Sequence, residues 1–353
     1  MLKVESLSKT LGSFSMREVS FSIDRGEYFV LLGASGVGKT VLLEAIAGVI
    51  RPDAGRIYLD GLDMTNLRPQ NRNIGLVYQD QALFPHLSVR QNIAYGLKCH
   101  KTRRSALKAE VVRLAESVRA SELLDRDVDT LSGGEAQRVA LARTMATKPK
   151  CLLLDEPIAS LDTRSRGDIR SLLRELNRQG QTILHVTHDY EEAVSLATRI
   201  AIMEDGRIVQ DGSPESIFHS PKSEFVADFV GIKNFLRGSL GPATEGEQLR
   251  EFIGPDGISI WILSDEEAGP GCLIFRSEDV TISIEQPVSS AKNAFKGIIL
   301  DIIPAKIGME VSVQIGVEIS ALVSRSSVSS LDLQAGKTVW ANFKASAARF
   351  LCA

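Results

Sequence analysis

The pattern of apolar and polar residues divides the chain into a mixed α/β part and a β-rich part. Short continuous apolar runs, typical of buried parallel strands, occur at Tyr28–Leu32 and at 150–154. Between them, from about 88 to 145, apolar residues recur at spacings of three and four, which predicts a helical insertion. From residue 231 onward, short β-like runs alternate with glycines and serines, which predicts an all-β domain.

The β-rich part contains a weak internal repeat. Residues 234–238 (NFLRG) recur in similar form as 293–297 (NAFKG). A glycine followed by a Phe-Arg or Phe-Lys pair also occurs twice, within 271–276 and within 336–344. This spacing predicts two small OB-like barrels in series. We therefore expect two domains, residues 1–230 and residues 231–353.

Composition narrows the class of protein. Of the 353 residues, 44% are hydrophobic and 24% charged, which is typical of a globular chain of two or three domains. The net charge of −3 gives no basic field for nucleic acid. Four widely spaced cysteines predict neither a disulfide framework nor a zinc site. Because no apolar run approaches about 18 residues and no signal peptide is evident, we expect a chain that does not itself cross a membrane.

A glycine-rich loop follows the first apolar run. Residues 33–40 (GASGVGKT) match G-x-x-x-x-G-K-[ST], between a strand-like run and a helical run. The glycines allow backbone N–H groups to surround an anion at a helix N-terminus. Lys39 would then reach phosphate oxygens, and Thr40 would ligate Mg²⁺. The alternative is a glycine-rich turn in which the Lys-Thr pair is a coincidence.

Acidic and imidazole side chains end two later strands. The run 150–154 is followed by Asp155 and Glu156, and the run 182–186 is followed by His188. Side chains at the carboxyl ends of parallel strands face the ligand crevice, so Asp155 is placed to hold Mg²⁺. His185, within the second run, is interpreted as a core histidine.

A capping motif precedes one helix of the insertion. In residues 131–135 (LSGGE), Ser132 and Glu135 have the spacing of a capping box. Taken alone, the motif could be only a capped helix start.

In type, order and spacing, these motifs resemble those of the nucleotide-binding subunit of an ABC transporter, over about residues 1–230. The Walker A loop is 33–40, the Q-loop residue Gln79, the signature 131–135, the D-loop 159–162 and the switch histidine His188. The resemblance implies a P-loop ABC ATPase fold, with a RecA-like core and a helical subdomain at about 88–145. It also implies a head-to-tail homodimer in which the signature of one copy caps the ATP held by the other.

The resemblance also implies roles for individual residues. Glu156 would polarise the attacking water, Gln79 would sense metal and water, and His188 would contact the γ-phosphate. The implied sites are, for ATP, Gly33, Ser35, Gly36, Gly38, Lys39, Thr40, Ser132, Gly133, Gly134 and Asp162; for Mg²⁺, Thr40, Gln79 and Asp155; and for catalysis, Glu156, His188 and Gln79.

Two further stretches bear on ligand and partner. Where related importers have an aromatic residue that stacks on adenine, this chain has Leu11, with Phe14 three residues later. Phe14 either substitutes for that aromatic or belongs to the core. Residues 83–89 resemble the importer segment that receives a helix of the membrane permease, although they also fit an apolar loop packed on the helical subdomain.

Residues 290–297 (SAKNAFKG), 324–327 (SRSS) and 343–346 (FKAS) give the tail a second resemblance. On these stretches the tail resembles the TOBE domain of importer ATPases, and its second half resembles a molybdate-binding Mop domain. Hydroxyl, amide and cationic side chains suit a tetrahedral oxyanion, although serines are also ordinary turn residues. Lys292 stands where the Mop pattern has arginine, which changes the donor geometry. The candidate oxyanion residues are Ser290, Lys292, Asn293, Ser324, Arg325, Ser326, Lys344 and Ser346.

These features predict the ATPase subunit of a molybdate or tungstate importer, with feedback by oxyanion bound to the tail. The expected cofactors are ATP and Mg²⁺, with molybdate or tungstate as a regulatory ligand. The expected partners are a second copy, membrane permease subunits and, indirectly, a periplasmic or extracellular oxyanion-binding protein, at the cytoplasmic face of the membrane. Alternatives are the same ATPase for sulfate, iron, polyamine or sugar, and a soluble ABC ATPase acting on nucleic acid.

Overall fold

The computed structural model describes residues 1–99, 103–243 and 248–352. Its contacts separate two compact units, Met1–His219 and Ser220–Ala353. The helix Glu224–Phe229, which the sequence analysis includes in the first domain, belongs by its contacts to the second unit.

The first unit alternates strands and helices. Its strands are β1 Leu2–Leu11, β2 Phe14–Ile23, β3 Tyr28–Leu32, β4 Ala54–Leu59, β5 Leu62–Asp63, β6 Ile74–Val77, β7 Cys151–Asp155, β8 Thr182–Thr187, β9 Arg199–Glu204 and β10 Arg207–Gly212. Its helices are α1 Lys39–Ala47, α2 Val89–Cys99, α3 Arg104–Ser117, α4 Gly133–Met145, α5 Thr163–Arg178, α6 Tyr190–Leu196 and α7 Pro214–His219.

Two sheets enclose the core of the first unit. One is antiparallel, in the order β2-β1-β4-β5. The other has the order β10-β9-β3-β8-β7-β6, and all of its strands are parallel except β10 at the edge. Strands β3, β7 and β8 are buried along their whole length, as the continuous apolar runs predict. Helix α1 fills the space between the two sheets with Leu42, Leu43 and Ile46.

The helical insertion is confirmed. Helices α2, α3 and α4 all lie within about 88–145, between β6 and β7. Their inward faces carry buried side chains spaced three and four apart, such as Val111, Leu114 and Ala115 on α3. The P-loop ABC fold class predicted from the motifs is therefore the observed one. Among the helices of the described residues, none has the length and apolar character needed to cross a bilayer.

The second unit is built mainly from strands. They are β11 Asn234–Leu240, β12 Leu249–Ile253, β13 Ser259–Leu263, β14 Gly269–Phe275, β15 Thr281–Ser283, β16 Asn293–Pro304, β17 Met309–Gln314, β18 Glu318–Val323, β19 Thr338–Phe343 and β20 Arg349–Cys352, and the helices are α8 Glu224–Phe229 and α9 Arg325–Ser330.

The two repeats of the tail are interleaved rather than arranged in series. One sheet has the order β13-β12-β11-β14-β20 and the other β15-β19-β16-β17-β18. The last strand of the chain thus joins the first sheet, and β15 from the first repeat joins the second. Both sheets contribute to one hydrophobic core, in which the rings of Phe275 and Phe343 stack 4.4 Å apart. Strand exchange lets each small repeat bury its apolar face against the other.

Two asparagines explain the internal repeat. Asn234 opens β11 and exchanges hydrogen bonds with the backbone of Ser320, at 2.6 and 3.0 Å. Asn293 opens β16 and exchanges two bonds of 2.8 Å with the backbone of Trp261. Each asparagine therefore ties its own sheet to a strand of the other sheet. Both are buried, so the repeated asparagine is structural.

The prediction of an all-β tail needs one correction. Residues 325–330 form the short helix α9, with Ser324 as its N-cap. The Ser324 hydroxyl accepts a hydrogen bond from the backbone N–H of Ser327 at 3.0 Å, which is ordinary N-cap chemistry. The serine-rich run lacks apolar periodicity, and for that reason the helix was not predicted.

Candidate functional site

Four neighbouring parallel strands end at one edge of the six-stranded sheet. The last residue of β3, Leu32, pairs with the last residue of β8, Thr187. Strands β7 and β6 lie beside β8 in matching register. The P-loop and the predicted residues Gln79, Glu156 and His188 follow directly from these strand ends. The edge therefore collects four of the predicted motifs.

The P-loop depends on glycine at two positions. Gly36 and Gly38 have φ of 86° and 102°, in the region that favours glycine. A Cβ on Gly38 would lie 2.1 Å from the ring of Phe14. Ser35 and Gly36 are exposed at the tip of the loop. The loop thus has the tight turn that brings backbone N–H groups to a phosphate.

Leu11 and Phe14 both border the P-loop. With Gly36, Gly38 and Lys39 they line a hollow of about 230 Å³. Phe14 is partly buried and packs on the core, whereas Leu11 is 43% exposed. Both apolar side chains are within this hollow, and Leu11 is the one without a packing role in the core.

Lys39 is held on the loop by two carbonyl groups. Its Nζ donates hydrogen bonds to the carbonyl oxygens of Gly33 at 2.8 Å and Ala34 at 2.9 Å. Burial lowers the pKa of its ammonium, and the negative charges of Glu156 and Asp155 oppose that shift. An ammonium has three N–H donors, so one remains for a phosphate oxygen.

Thr40 and Asp155, two of the residues predicted to bind Mg²⁺, contact each other. The Thr40 hydroxyl donates to the two Asp155 carboxylate oxygens, at 3.0 and 3.3 Å. Burial raises the pKa of the Asp155 carboxyl, while the hydrogen bond from Thr40 and the charge of Lys39 oppose that shift. A hydroxyl and a carboxylate are oxygen ligands of the kind that Mg²⁺ prefers.

Gln79 lines the same hollow as Asp155. Gln79 and Asp155, with Tyr78 and Ser160, line a hollow of about 760 Å³. Within the described ranges, no three His, Cys, Asp or Glu side chains are grouped to hold a metal. The oxygens of Thr40, Asp155 and Gln79 fit Mg²⁺, because this ion usually binds one or two protein oxygens and completes its shell with phosphates and waters.

Glu156 and His188 form a direct pair. The Glu156 Oε1 lies 2.8 Å from the His188 Nδ1, and Oε2 lies 3.4 Å from the Thr187 hydroxyl. The Glu156 side chain is 12% exposed and that of His188 is 53% exposed. Glu156 also has a φ of 47°, a backbone conformation that costs energy for a non-glycine residue. The pair is therefore fixed on the protein side and open on the side where substrate would bind.

The signature residues form a capped helix start. The Ser132 hydroxyl accepts from the Glu135 N–H at 3.3 Å, and the Glu135 carboxylate accepts from the Ser132 N–H at 2.7 Å. A Cβ on Gly134 would lie 2.8 Å from the Ser165 hydroxyl oxygen, so glycine allows α4 to approach α5. Gly133 is similarly close to Leu161.

Asp162 also has a local partner. It is the N-cap of α5 and accepts hydrogen bonds from the backbone N–H groups of Arg164 and Ser165, at 3.0 and 3.1 Å. These bonds lower the pKa of its carboxyl. Within one chain, Gly134 of the signature thus packs against the start of α5, which Asp162 caps, whereas Thr40 of the P-loop contacts Asp155.

Sequence reasoning missed one residue that links the helical insertion to the edge. Arg143, near the end of α4, donates hydrogen bonds to the carbonyl oxygens of Gln81 and Ala82, at 3.0 and 2.7 Å. Its guanidinium also lies 5.0 Å from the centre of the Phe84 ring. No local sequence signal marks this arginine, because its partners are about sixty residues away.

Thr187 and Glu192 were also missed. Thr187 contacts the carboxylates of both Glu156 and Glu192, and Glu192 is almost fully buried. A signal was available, because Asp189 and Glu192 have the three-residue spacing of a helix cap and its partner.

The structure separates the candidate oxyanion residues into groups. Lys292 precedes Asn293 and Lys344 follows Phe343, and since Asn293 pairs with Phe343, both lysines leave the same end of β16 and β19. Ser324 follows β18, whose last residue aligns through β17 with the other end of β16.

The exposure of these residues also differs. Asn293 has both ends of its amide bonded to Trp261, so we remove it from the candidate set. The remaining candidates are exposed: Ser290, Lys292, Ser324, Arg325, Ser326, Lys344 and Ser346.

Comparison with known proteins matches two separate parts of the chain to known families. The family model described as ABC transporter matches residues 16–159, and the model described as TOBE domain matches residues 289–350. The chain is 44% identical to the molybdate/tungstate import ATP-binding protein WtpC of Pyrococcus horikoshii, over 98% of this chain and 99% of the relative. It is 39% identical to the spermidine/putrescine import ATP-binding protein PotA of Chromobacterium violaceum, over 85% of this chain and 84% of the relative.

A solved structure shares the fold of the first unit. The ATP-binding cassette MJ0796, in a dimeric post-hydrolysis state bound to ADP and phosphate, has a TM-score of 0.54 and 28% identity. The match covers 61% of this chain and 99% of that one.

Proposed function

This chain belongs to the ABC transporter family, and from that premise we propose that it is the ATP-hydrolysing subunit of an importer for molybdate or tungstate. The cassette is common to importers of many substrates, so the cassette alone does not identify the cargo. The observation that carries the proposal is a sequence identity of 44% to a molybdate/tungstate import protein, in an alignment that covers 98% of this chain and includes the tail. The polyamine alternative has the weaker support of a shorter and less identical match.

Each of the residues at this edge of the sheet has a separate role in phosphoryl transfer. Lys39 and the P-loop N–H groups bind phosphate oxygens, and Thr40 and Asp155 would hold Mg²⁺, which when bound would neutralise charge that develops on the phosphates. Glu156 orients a water and accepts its proton, since it directly follows the end of β7, beside Asp155 at the edge where the P-loop lies. His188, whose Nδ1 lies 2.8 Å from Glu156, would contact the γ-phosphate.

A second copy of the chain completes the site in this proposal. Ser132, Gly133 and Gly134 open the thirteen-residue helix α4, whose N-terminus favours an anion. In one chain they pack on α5 rather than on the P-loop. A head-to-tail homodimer would bring them to the ATP of the partner, with Asp162 between the two sites. The solved relative MJ0796 is dimeric, which supports this arrangement.

An aromatic cluster offers a contact for the membrane permease. The rings of Phe84 and Tyr95 lie 4.7 Å apart, and His86 lies 6.2 Å from Phe84. Tyr95 is 48% exposed, and Arg143 links the cluster to the segment after Gln79. We assign this surface to a helix of the permease, which places the chain at the cytoplasmic face of the membrane. An oxyanion-binding protein acts through the permease, and nucleic acid is not a partner.

The cargo can be tested in the assembled transporter. We expect ATP hydrolysis by the chain with its permease in vesicles to rise several-fold when the binding protein is loaded with molybdate or tungstate. Sulfate or spermidine should produce no rise. A complex carrying Glu156→Gln in this chain controls for contaminating ATPases. Stimulation by spermidine or sulfate, and none by molybdate or tungstate, would replace this cargo by the alternative.

Feedback by oxyanion is the second part of the proposal. The exposed cations Lys292 and Lys344 and the exposed hydroxyl groups of Ser324 and Ser326 are at opposite ends of β16. We infer that each regulatory site is formed by two tails, with the cations of one copy and the hydroxyl groups of the other. Bound molybdate or tungstate would then hold the two tails in a geometry that keeps the ATP sites apart.

Saturating molybdate or tungstate on the cytoplasmic side is expected to inhibit ATP hydrolysis by the assembled transporter. Lys344→Ala should weaken that inhibition about tenfold or more, because a lost charge-assisted contact costs at least about 1.4 kcal/mol. Lys296→Ala, at an exposed position on β16, is the matched control and should be inhibited like the wild type. Unchanged activity at saturating oxyanion would refute the feedback hypothesis and leave the cargo assignment standing.

A further inference from the structure

A chain of buried polar groups lies behind the Glu156–His188 pair. The Tyr28 hydroxyl is 3.0 Å from the Nδ1 of His185, and the His185 Nε2 is 3.6 Å from the Glu192 Oε2. Tyr28 and His185 are fully buried and Glu192 is 1% exposed. None of these three side chains has a role in the reaction described above, and the His185 Nε2 is a buried atom without a hydrogen-bond partner among the described residues, which calls for an explanation.

Burial determines which group carries the hydrogen at each contact. It lowers the pKa of His185 to about 3, so the ring is neutral. It also raises the pKa of the Tyr28 phenol, which therefore stays protonated and donates to Nδ1. A neutral imidazole has one N–H, which is then at Nε2 and has no hydrogen-bond partner among the described residues, since the Glu192 Oε2 lies 3.6 Å away.

Thr187 connects these buried polar groups to Glu156. Its hydroxyl oxygen accepts from the Asp189 N–H at 3.0 Å, and its one hydrogen has two carboxylates within reach. Glu192 is the nearer acceptor at 2.9 Å, and Glu156 lies at 3.4 Å. Glu192 therefore holds the hydroxyl away from Glu156.

A closed ring of bonds fixes the end of β8. Besides accepting from Thr187, Glu192 donates its backbone N–H to the Asp189 Oδ1 at 3.1 Å. Thr187, Asp189 and Glu192 thus fix the backbone on both sides of His188. The side chain of His188, although 53% exposed, remains 2.8 Å from Glu156.

We propose that Glu192 is a positioning residue for ATP hydrolysis, which acts through the Thr187 hydroxyl to set the geometry of Glu156 and His188. This inference rests on the proposed role of Glu156. Without the Glu192 carboxylate or the Thr187 hydroxyl, this ring of bonds is broken, and the backbone that holds His188 beside Glu156 is no longer fixed. Misplacement of a reacting group by about 1 Å can cost about 100-fold in rate.

The test compares Thr187→Val, Thr187→Ser, Glu192→Gln and Glu192→Ala in the full chain. Thr187→Val and Glu192→Ala should lower kcat by about 10- to 100-fold, with KM for ATP and ATP affinity unchanged. Thr187→Ser keeps the hydroxyl and should retain kcat near that of the wild type. Glu192→Gln keeps an acceptor oxygen and should be intermediate. Val194→Ala, at an exposed position on α6, is the control for general damage to that helix.

Three results would overturn the inference. One is a wild-type kcat for Thr187→Val and Glu192→Ala. The second is a joint loss of kcat and ATP affinity, and the third is a Thr187→Ser variant as slow as Thr187→Val, because each of these two indicates only a structural role. If Glu192→Ala does not fold, the Thr187→Val and Thr187→Ser pair decides. Full activity of Glu156→Gln, measured alongside, would instead refute the proposed role of Glu156.

Discussion

Glu156→Gln is expected to lower the rate of ATP hydrolysis by about 10²- to 10⁴-fold while ATP binding is retained. Positioned general bases contribute rate factors of this size. The amide keeps the shape of the side chain and one oxygen, but it cannot accept the proton of the attacking water. The side chain is largely buried on the protein side and contacts His188 at 2.8 Å, so the substitution changes chemistry more than packing.

Phosphate release at saturating ATP measures this effect, and equilibrium binding of ATP measures retention of the site. If ATP joins two copies, the variant should also accumulate as an ATP-bound dimer in size-exclusion chromatography with light scattering. Glu204→Gln is the matched control, because Glu204 ends the parallel strand β9 at the same edge and has no proposed role. Hydrolysis by Glu156→Gln at the wild-type rate would exclude Glu156 as the base.

The grouping of the site residues at one edge of the parallel sheet could be predicted from the sequence, for a physical reason. In a parallel sheet every strand ends at the same side, so residues that directly follow buried apolar runs must meet there. Gly33, Asp155, Glu156 and His188 each follow such a run. Knowing the runs was therefore enough to place these residues together, without knowing which strands are neighbours.

The side-chain partners at that edge could not be predicted. The contacts of Thr187 with Glu156 and Glu192 depend on β7 lying next to β8 and on the angle at which α6 leaves the sheet. Neither is encoded in a local pattern. The same holds for Arg143, whose partners lie on a segment of the chain that no periodicity connects to α4.

The tail shows a second limit. The repeat of Asn234 and Asn293 was visible in the sequence, but its meaning was not, because each asparagine bonds to a strand of the opposite sheet. Pairing of β20 with β14 likewise joins residues far apart in sequence. Asn293 resembled a ligand donor in sequence because an amide suits an oxyanion as well as it suits a backbone peptide.

Lys39→Met is expected to weaken ATP binding roughly 30-fold to several thousand-fold. Loss of one partner of a buried charged contact costs about 2–5 kcal/mol, and each 1.4 kcal/mol is about tenfold in Kd. Lys39 is 6% exposed, and its ammonium lies on the carbonyl oxygens of Gly33 and Ala34, within the loop that would surround the phosphates. Methionine has a similar volume and no charge, so the loop loses its cation with little change in packing.

Binding of a fluorescent ATP analogue, with and without Mg²⁺, measures this loss, and thermal unfolding without nucleotide checks the fold. Burial disfavours the charge of Lys39, so methionine should leave the unfolding temperature unchanged or higher. Lys150→Met is the matched control, because Lys150 is 47% exposed and pairs with Asp60 away from the loop. Its ATP affinity should stay within about twofold of the wild type, since surface pairs contribute little. Equal affinities for Lys39→Met and Lys150→Met would mean that the loop binds phosphate through its backbone alone.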